Sequence, residues 1–150
     1  MSDTEVVLAS FNGEVHIKEQ IESIINQSVK DFHIKVNDDK SSDLTEKILQ
    51  EYRYHIKSMT SIKCGGAKEN FSYLLNQSTA KFVLCADQDD IWMEDKVEKL
   101  VKWMKFYEGV FGDETPLLIH TDLMLIDDKG SRIAFLLEVS KLESILGRLI

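Results

Sequence analysis

The chain has 150 residues, of which 43% are hydrophobic and 29% are charged, a balance that predicts one folded domain with a single core. Its 18 basic and 26 acidic residues give a formal charge of -8, which argues against nucleic acid or an anionic membrane as a partner. No apolar run reaches the length of a transmembrane helix, and the two cysteines form no C-x-x-C, so a cytoplasmic protein with reduced thiols is expected.

Short apolar runs alternate with helical patterns along the first half of the chain. The elements predicted there are a strand at residues 5–10, a helix around the isoleucines of 17–25, a strand at 32–37, a helix beginning at Asp43, a weaker strand at 55–58 and a helix around 71–75. The start at Asp43 is predicted because Asp43 and Glu46 have capping-box spacing. Residues 64–66 are interpreted as a simple turn.

The second half continues the alternation. Its predicted elements are a continuous central strand at residues 81–86, a helix with Val97, Leu100, Val101 and Met104 inward, a long strand at 117–126, a turn at 127–130, a short partner strand at 133–135 and an amphipathic helix at 139–149. Strands alternating with helices of this length predict an α/β fold, a mostly parallel sheet with helices on both faces.

Ligands of such sheets bind outside the carboxyl ends of the strands. Three polar segments are predicted to fall there: residues 10–13, 37–43 and 87–90. Their convergence predicts a binding site at this edge of the sheet.

Asp87, Asp89 and Asp90 place three carboxylates within four residues. Carboxylates crowded at a partly buried strand end repel one another, and a divalent cation such as Mg²⁺ or Mn²⁺ would relieve that repulsion. The alternative is an acidic helix N-terminus that only complements the helix dipole, and for this string alone both interpretations stay open.

Asp39 has a similar pair of interpretations. Its carboxylate can accept an N–H from the edge of a base, an interaction worth about 1.5–3 kcal/mol, or the loop around it serves only to cap the next helix. Phe11 either stacks on the same base or simply packs.

The sequence lacks the motifs that would indicate other kinds of catalytic or binding site. The four histidines have no metal or triad spacing, and the serine-hydrolase, P-loop and dinucleotide motifs are absent from the sequence. A receiver-like phosphorylation domain would carry its acidic pair after the first strand, where this chain has Ser10 and Phe11.

Four motifs, at residues 8–13, 20–28, 38–43 and 87–92, have an order and spacing that resemble the family 2 glycosyltransferases of GT-A fold. The similarity is strongest to bacterial members that add sugars such as rhamnose to cell-surface polysaccharides. It runs from about Val6 to the end of the chain, and residues 70–72 and 120–123 also look like later segments of the family.

The resemblance implies a nucleotide site. Ser10 and Phe11 would line the base and ribose, and Asp39 would accept the N3–H of uracil or thymine. Lys68 and Asn70 fall where some members place further base and donor contacts.

The resemblance also implies a metal site. Asp89 would be the metal ligand of the D-x-D motif, Asp87 would contact the ribose and the metal region, and Asp90 would orient the cation's waters or the sugar. The family commonly has glycine where this chain has Lys40, a difference expected to alter the turn without touching Asp39.

The implied activity is metal-dependent, inverting transfer of a sugar from a UDP- or dTDP-sugar donor to a glycan or lipid-linked acceptor, in the cytoplasm or at the inner face of the membrane. Family members continue into an acceptor-binding half with the general base, and this chain is expected to lack that half. Asp122 is a weak substitute as base. The alternative is a non-catalytic nucleotide-sugar-binding module completed by a second copy or a partner chain.

Overall fold

The computed structural model describes residues 3–127 and 131–135 of the chain. In chain order the elements are β1 (Thr4–Ser10), α1 (Ile17–Ile25), β2 (His33–Asp38), α2 (Thr45–Glu51), β3 (Ser58–Thr60), α3 (Ala67–Gln77), β4 (Phe82–Asp87), α4 (Lys96–Phe111), β5 (Met124–Ile126) and β6 (Arg132–Phe135). Two compact units divide the chain, Met1–Thr115 and Pro116–Ile150. Among the described residues, no helix combines the length and apolar character needed to cross a bilayer.

The first unit contains a four-stranded sheet in the order β3-β2-β1-β4, and all of its pairings are parallel. The predicted mostly parallel α/β sheet is therefore confirmed. The predicted central position of the strand at residues 81–86 is wrong for the described sheet, where β4 lies at the edge and β1 lies inside. A continuous apolar run reports burial of the strand's faces and says little about how many of its edges are paired.

The core lies on both faces of the sheet, because side chains of β1 alternate between them. Val6 and Leu8 pack on the face covered by α1, α2 and α4, in one cluster with the buried isoleucines of α1. Val7 and Ala9 face the other side and pack against Leu74 of α3. Helices cover both faces, as predicted.

The second helix begins at Thr45 and not at Asp43. Asp43 lies before the helix, where its carboxylate accepts the backbone N–H of Thr45 (3.0 Å) and the N–H of Glu14 (3.0 Å). Glu14 in turn accepts the N–H of Leu44 (2.9 Å). The reciprocal partner of Asp43 is therefore a glutamate from another loop, where the sequence had predicted Glu46. The third strand is also displaced, to Ser58–Thr60 from the predicted 55–58.

The second unit contains the antiparallel pair β5 and β6. The predicted short partner strand is confirmed, but the long strand predicted at 117–126 is wrong, since only Met124–Ile126 forms one. Polar residues at 120–122 interrupt the apolar run, and Leu118 is 92% exposed, so the first part of this segment is not buried as a core strand would be. The helix predicted at 139–149 lies outside the described residues.

Candidate functional site

The carboxyl ends of three neighbouring strands lie side by side. In the register of the sheet, Ser10 at the end of β1 pairs with Asp38 of β2, and Ala9 pairs with Asp87 of β4. The three polar segments predicted to meet at this edge are thus brought together. Beside them is a cavity of about 430 Å³. Its walls are formed by Ala9, Ser10, Phe11, Asp39, Lys63, Gly65, Gly66, Ala67, Asn70 and Gln88.

Ser10 is buried and holds the second loop in place. Its hydroxyl donates to Asp38 (3.2 Å), whose carboxylate also accepts from the backbone N–H (2.9 Å) and the hydroxyl of Ser41. The carbonyl of Ser10 accepts the N–H of Asp39 (2.8 Å). Ser10 therefore fixes the backbone from which the side chain of Asp39 projects.

Asp39 lines the cavity although its side chain is only 6% exposed. One carboxylate oxygen accepts the N–H of Cys64 and of Gly65 (3.0 Å), and the other accepts from Gly65 and Gly66 (both 2.9 Å). Burial would raise the pKa of Asp39, but these hydrogen bonds and the charge of Lys63 outweigh it and hold the pKa below its usual value. The carboxylate is anionic and anchors the loop before α3.

That loop is the part of the cavity wall that the sequence interpretation missed. Gly65 and Gly66 have φ angles of 94° and 152°, a region that L side chains rarely adopt. Glycines at both positions let three successive N–H groups turn toward one carboxylate. Two adjacent glycines immediately before a helical pattern were the available signal, and they were interpreted only as a turn.

Asn70 is buried, and its side chain connects the ends of β1 and β2. Its side-chain amide donates to the carbonyls of Ser10 (3.3 Å) and Asn37 (3.2 Å), and its oxygen accepts from the Asn37 amide (2.9 Å). Lys68 is exposed on the first turn of α3, and in the described part of the chain the lysine on the cavity wall is Lys63. Asn70 thus reaches the cavity, whereas Lys68 does not line it.

Phe11 lines the cavity and is 52% exposed to solvent. Its backbone N–H donates to the side chain of Gln88 (2.7 Å), and its carbonyl accepts from the same amide (2.9 Å). The sequence did not single out Gln88, because its partner lies 77 positions away.

The acidic run after β4 does not cap a helix. The next helix, α4, begins at Lys96 with Asp95 as its N-cap residue, so a whole loop separates it from Asp90. The interpretation of this run as acidic helix caps is therefore wrong.

The three carboxylates of this run have the chemistry of a partial cation site. Burial, with the neighbouring charges of Asp90 and Asp89, raises the pKa of Asp87, and burial also raises the pKa of Asp90 against the opposing charge of Lys96. Within residues 3–127 and 131–135, no three His, Cys, Asp or Glu side chains gather closely enough to hold a metal ion. These oxygens fit a hard cation that takes its other ligands from phosphate and water.

Asp122 lies in the second unit, ahead of β5 and not inside a strand. Its carboxylate accepts the backbone N–H of Leu123 (2.8 Å). The described residues that line the cavity belong to the first unit.

Comparison with known proteins gives concordant matches. Residues 5–114 match the model of the family described as Glycosyl transferase family 2. The chain is 36% identical over 107 residues to the dTDP-rhamnosyl transferase RfbG of Shigella flexneri, across 66% of this chain and 37% of that protein. It is 31% identical over 100 residues to the UDP-Glc:alpha-D-GlcNAc-diphosphoundecaprenol beta-1,3-glucosyltransferase WfgD of Escherichia coli, across 66% and 40%.

Among solved structures, that of S. aureus TarS 1–349 in complex with UDP matches with a TM-score of 0.62 and 26% identity, over 70% of this chain and 32% of that one. This likeness confirms the GT-A arrangement of the α/β fold. The chain spans 40% or less of the length of these three proteins.

Proposed function

Because the chain belongs to glycosyl transferase family 2, as its motifs predicted, we propose that its cavity binds the nucleoside diphosphate of a UDP- or dTDP-sugar. The observation that supports this most is that an anionic, fixed Asp39 and the exposed Phe11 both line the cavity. A carboxylate and an aromatic face are the groups needed to read a pyrimidine by its edge and its plane.

Asp39 keeps the capacity to read a base while it anchors the loop. An ionised carboxylate has about four lone-pair sites. Three backbone N–H groups, those of Cys64, Gly65 and Gly66, use most of them. The Gly65 N–H is shared between the two oxygens, and on binding it donates to one of them only, which leaves a site for the N3–H of uracil or thymine; cytosine presents an acceptor there and is repelled. UDP and dTDP are therefore preferred over CDP.

The diphosphate is bound at the acidic run through a divalent cation, Mg²⁺ or Mn²⁺. Asp89 is the proposed ligand, with Asp87 and Asp90 beside it. When bound, the cation neutralises the diphosphate that departs from the sugar. The N–H groups of residues 64–66, which precede α3, already donate to Asp39 and are therefore not available to a phosphate.

The proposed reaction is inverting transfer of the sugar to a glycan or lipid-linked acceptor. WfgD, one of the relatives, is named for an acceptor on diphosphoundecaprenol. Inversion by direct displacement needs a base near the acceptor hydroxyl. Asp122, the weak candidate that the sequence offers as this base, is not among the described residues that line the cavity.

A second candidate function is nucleotide-sugar binding without turnover by these 150 residues, supported by the 37% of RfbG that the chain spans. Release of nucleoside diphosphate from a panel of sugar donors distinguishes the two. Acceptor-dependent release that is abolished by Asp122→Asn would contradict the binding-only function.

The experiment that tests the proposed site is calorimetry with UDP, dTDP and CDP in Mn²⁺ and in EDTA. We expect binding of UDP and dTDP that is much tighter in Mn²⁺. Asp89→Asn should remove most of the metal-dependent part, because it replaces a hard anionic ligand by a neutral amide of the same shape. Equal affinity for UDP in Mn²⁺ and in EDTA would overturn the metal-dependent site.

A further inference from the structure

Gln88 occupies the middle position of the acidic run, yet its side chain is committed to a different segment. Its amide oxygen accepts the N–H of Phe11 (2.7 Å) and its amide nitrogen donates to the carbonyl of Phe11 (2.9 Å). Both polar ends of one side chain thus bind both polar groups of one backbone residue. This is the pattern that a neighbouring strand would make with a peptide.

The pair continues the sheet beyond its last ladder position. The register between β1 and β4 ends with Ala9 opposite Asp87. The side chain of Gln88, one residue beyond Asp87, then connects to Phe11, which lies two residues beyond Ala9. The segment that bears Phe11 and the segment that bears the carboxylates are therefore joined where their main chains no longer pair.

Gly13 shows how closely this side chain is seated. A Cβ added to Gly13 would lie 2.5 Å from the amide oxygen of Gln88 and 2.8 Å from its amide carbon. A Cβ at this position would collide with Gln88, so the absence of a Cβ at Gly13 makes room for the Gln88 side chain where it binds Phe11. Gln88 is consequently held from two sides, by hydrogen bonds to Phe11 and by contact with Gly13.

We propose that Gln88 is a positioning residue that sets the spacing between the base-binding wall at Phe11 and the cation-binding carboxylates on either side of it. The inference rests on the proposed function and names a determinant of that same site. A ligand that contacts both places gains affinity only when their separation is fixed in advance. UDP contacts both, whereas uridine contacts only the wall at Phe11.

The test compares UDP with uridine in Mn²⁺ by NMR titration for wild type, Gln88→Met and Gly13→Ala. Methionine keeps the size of the side chain and removes its hydrogen bonds, and alanine at 13 displaces Gln88 without changing it. We expect each variant to lose about tenfold in UDP affinity and less than about twofold in uridine affinity. The matched control Gln77→Ala, at an exposed position of α3, should change neither affinity.

The outcomes are distinguishable. A wild type that binds no UDP overturns the proposed function, and the role of Gln88 with it. A wild type that binds UDP while both variants keep the wild-type ratio of UDP to uridine affinity overturns only the role of Gln88. If the variants lose UDP affinity and uridine affinity equally and also melt at a lower temperature, the hydrogen bonds of Gln88 to Phe11 merely support the fold. If Gln88→Met does not fold, the Gly13→Ala titration decides the question.

Discussion

Replacement of Asp39 by asparagine separates the two roles assigned to that carboxylate. The amide has nearly the same shape, but it keeps one acceptor oxygen and turns a donor toward backbone N–H groups of Cys64, Gly65 and Gly66. Hydrogen bonds to a charged group are worth about 1.5–3 kcal/mol, and water from the cavity can replace part of what is lost. We therefore expect the free energy of unfolding to fall by about 1.5–3 kcal/mol in total.

The same change should abolish the preference for UDP over CDP, because an amide can donate to N3 of cytosine as well as accept from N3 of uracil. Urea unfolding followed by circular dichroism measures the stability, and calorimetry with the two nucleotides measures the preference. Gly65→Ala is the control, since φ of 94° at this position strains the loop while the carboxylate stays. It should lower stability and preserve the ratio of UDP to CDP affinity.

Two results would refute this reasoning. An Asp39→Asn protein as stable as wild type would mean that the carboxylate does not anchor the loop. A destabilised variant that still prefers UDP to CDP by the wild-type ratio would mean that Asp39 holds the wall but does not read the base.

Three further predictions concern stability. The folded-state pKa of Asp39 is lowered, so its contribution is complete well above the unfolded carboxyl pKa of about 4 and is lost as the pH falls through the lower folded-state pKa; the stability gap between wild type and Asp39→Asn should therefore narrow as the pH is lowered below about 4 in urea titrations, and a constant gap would contradict this. Lys40 has φ of 61°, so Lys40→Gly should add roughly 0.5–1 kcal/mol to the free energy of unfolding, whereas no gain over Lys40→Ala would argue against strain. Ile21 is fully buried between α1 and the sheet, and Ile21→Ala should cost about 2–5 kcal/mol, against less than about 0.5 kcal/mol for the exposed Val15→Ala.

The parts of the fold that the sequence predicted well are those governed by local periodicity. The run of β1 and the isoleucines of α1 predict one strand and one helix face, and the structure places both where the pattern has them. The meeting of three polar segments followed from a general property of parallel sheets, without any motif. The left-handed backbone of Lys40 also agrees with the glycine that the family resemblance implies at this position.

What the sequence could not predict depends on partners distant along the chain. Asp39 is bound by N–H groups 25 to 27 positions away, and no local pattern announces that the second loop is anchored to the loop before α3. Glu14 takes the capping role expected of Glu46 for the same reason. The apolar residues at 117–119 resemble the start of a strand by composition, but a strand forms only where a partner strand pairs with it.

The most direct test of the proposed nucleotide site is a crystal structure of the chain with UDP and Mn²⁺. It should show the uracil ring against Phe11, its N3 hydrogen-bonded to a carboxylate oxygen of Asp39, and the diphosphate joined to Asp89 through the cation. UDP bound outside this cavity, or bound in it with the base turned away from Asp39, would contradict the assignment.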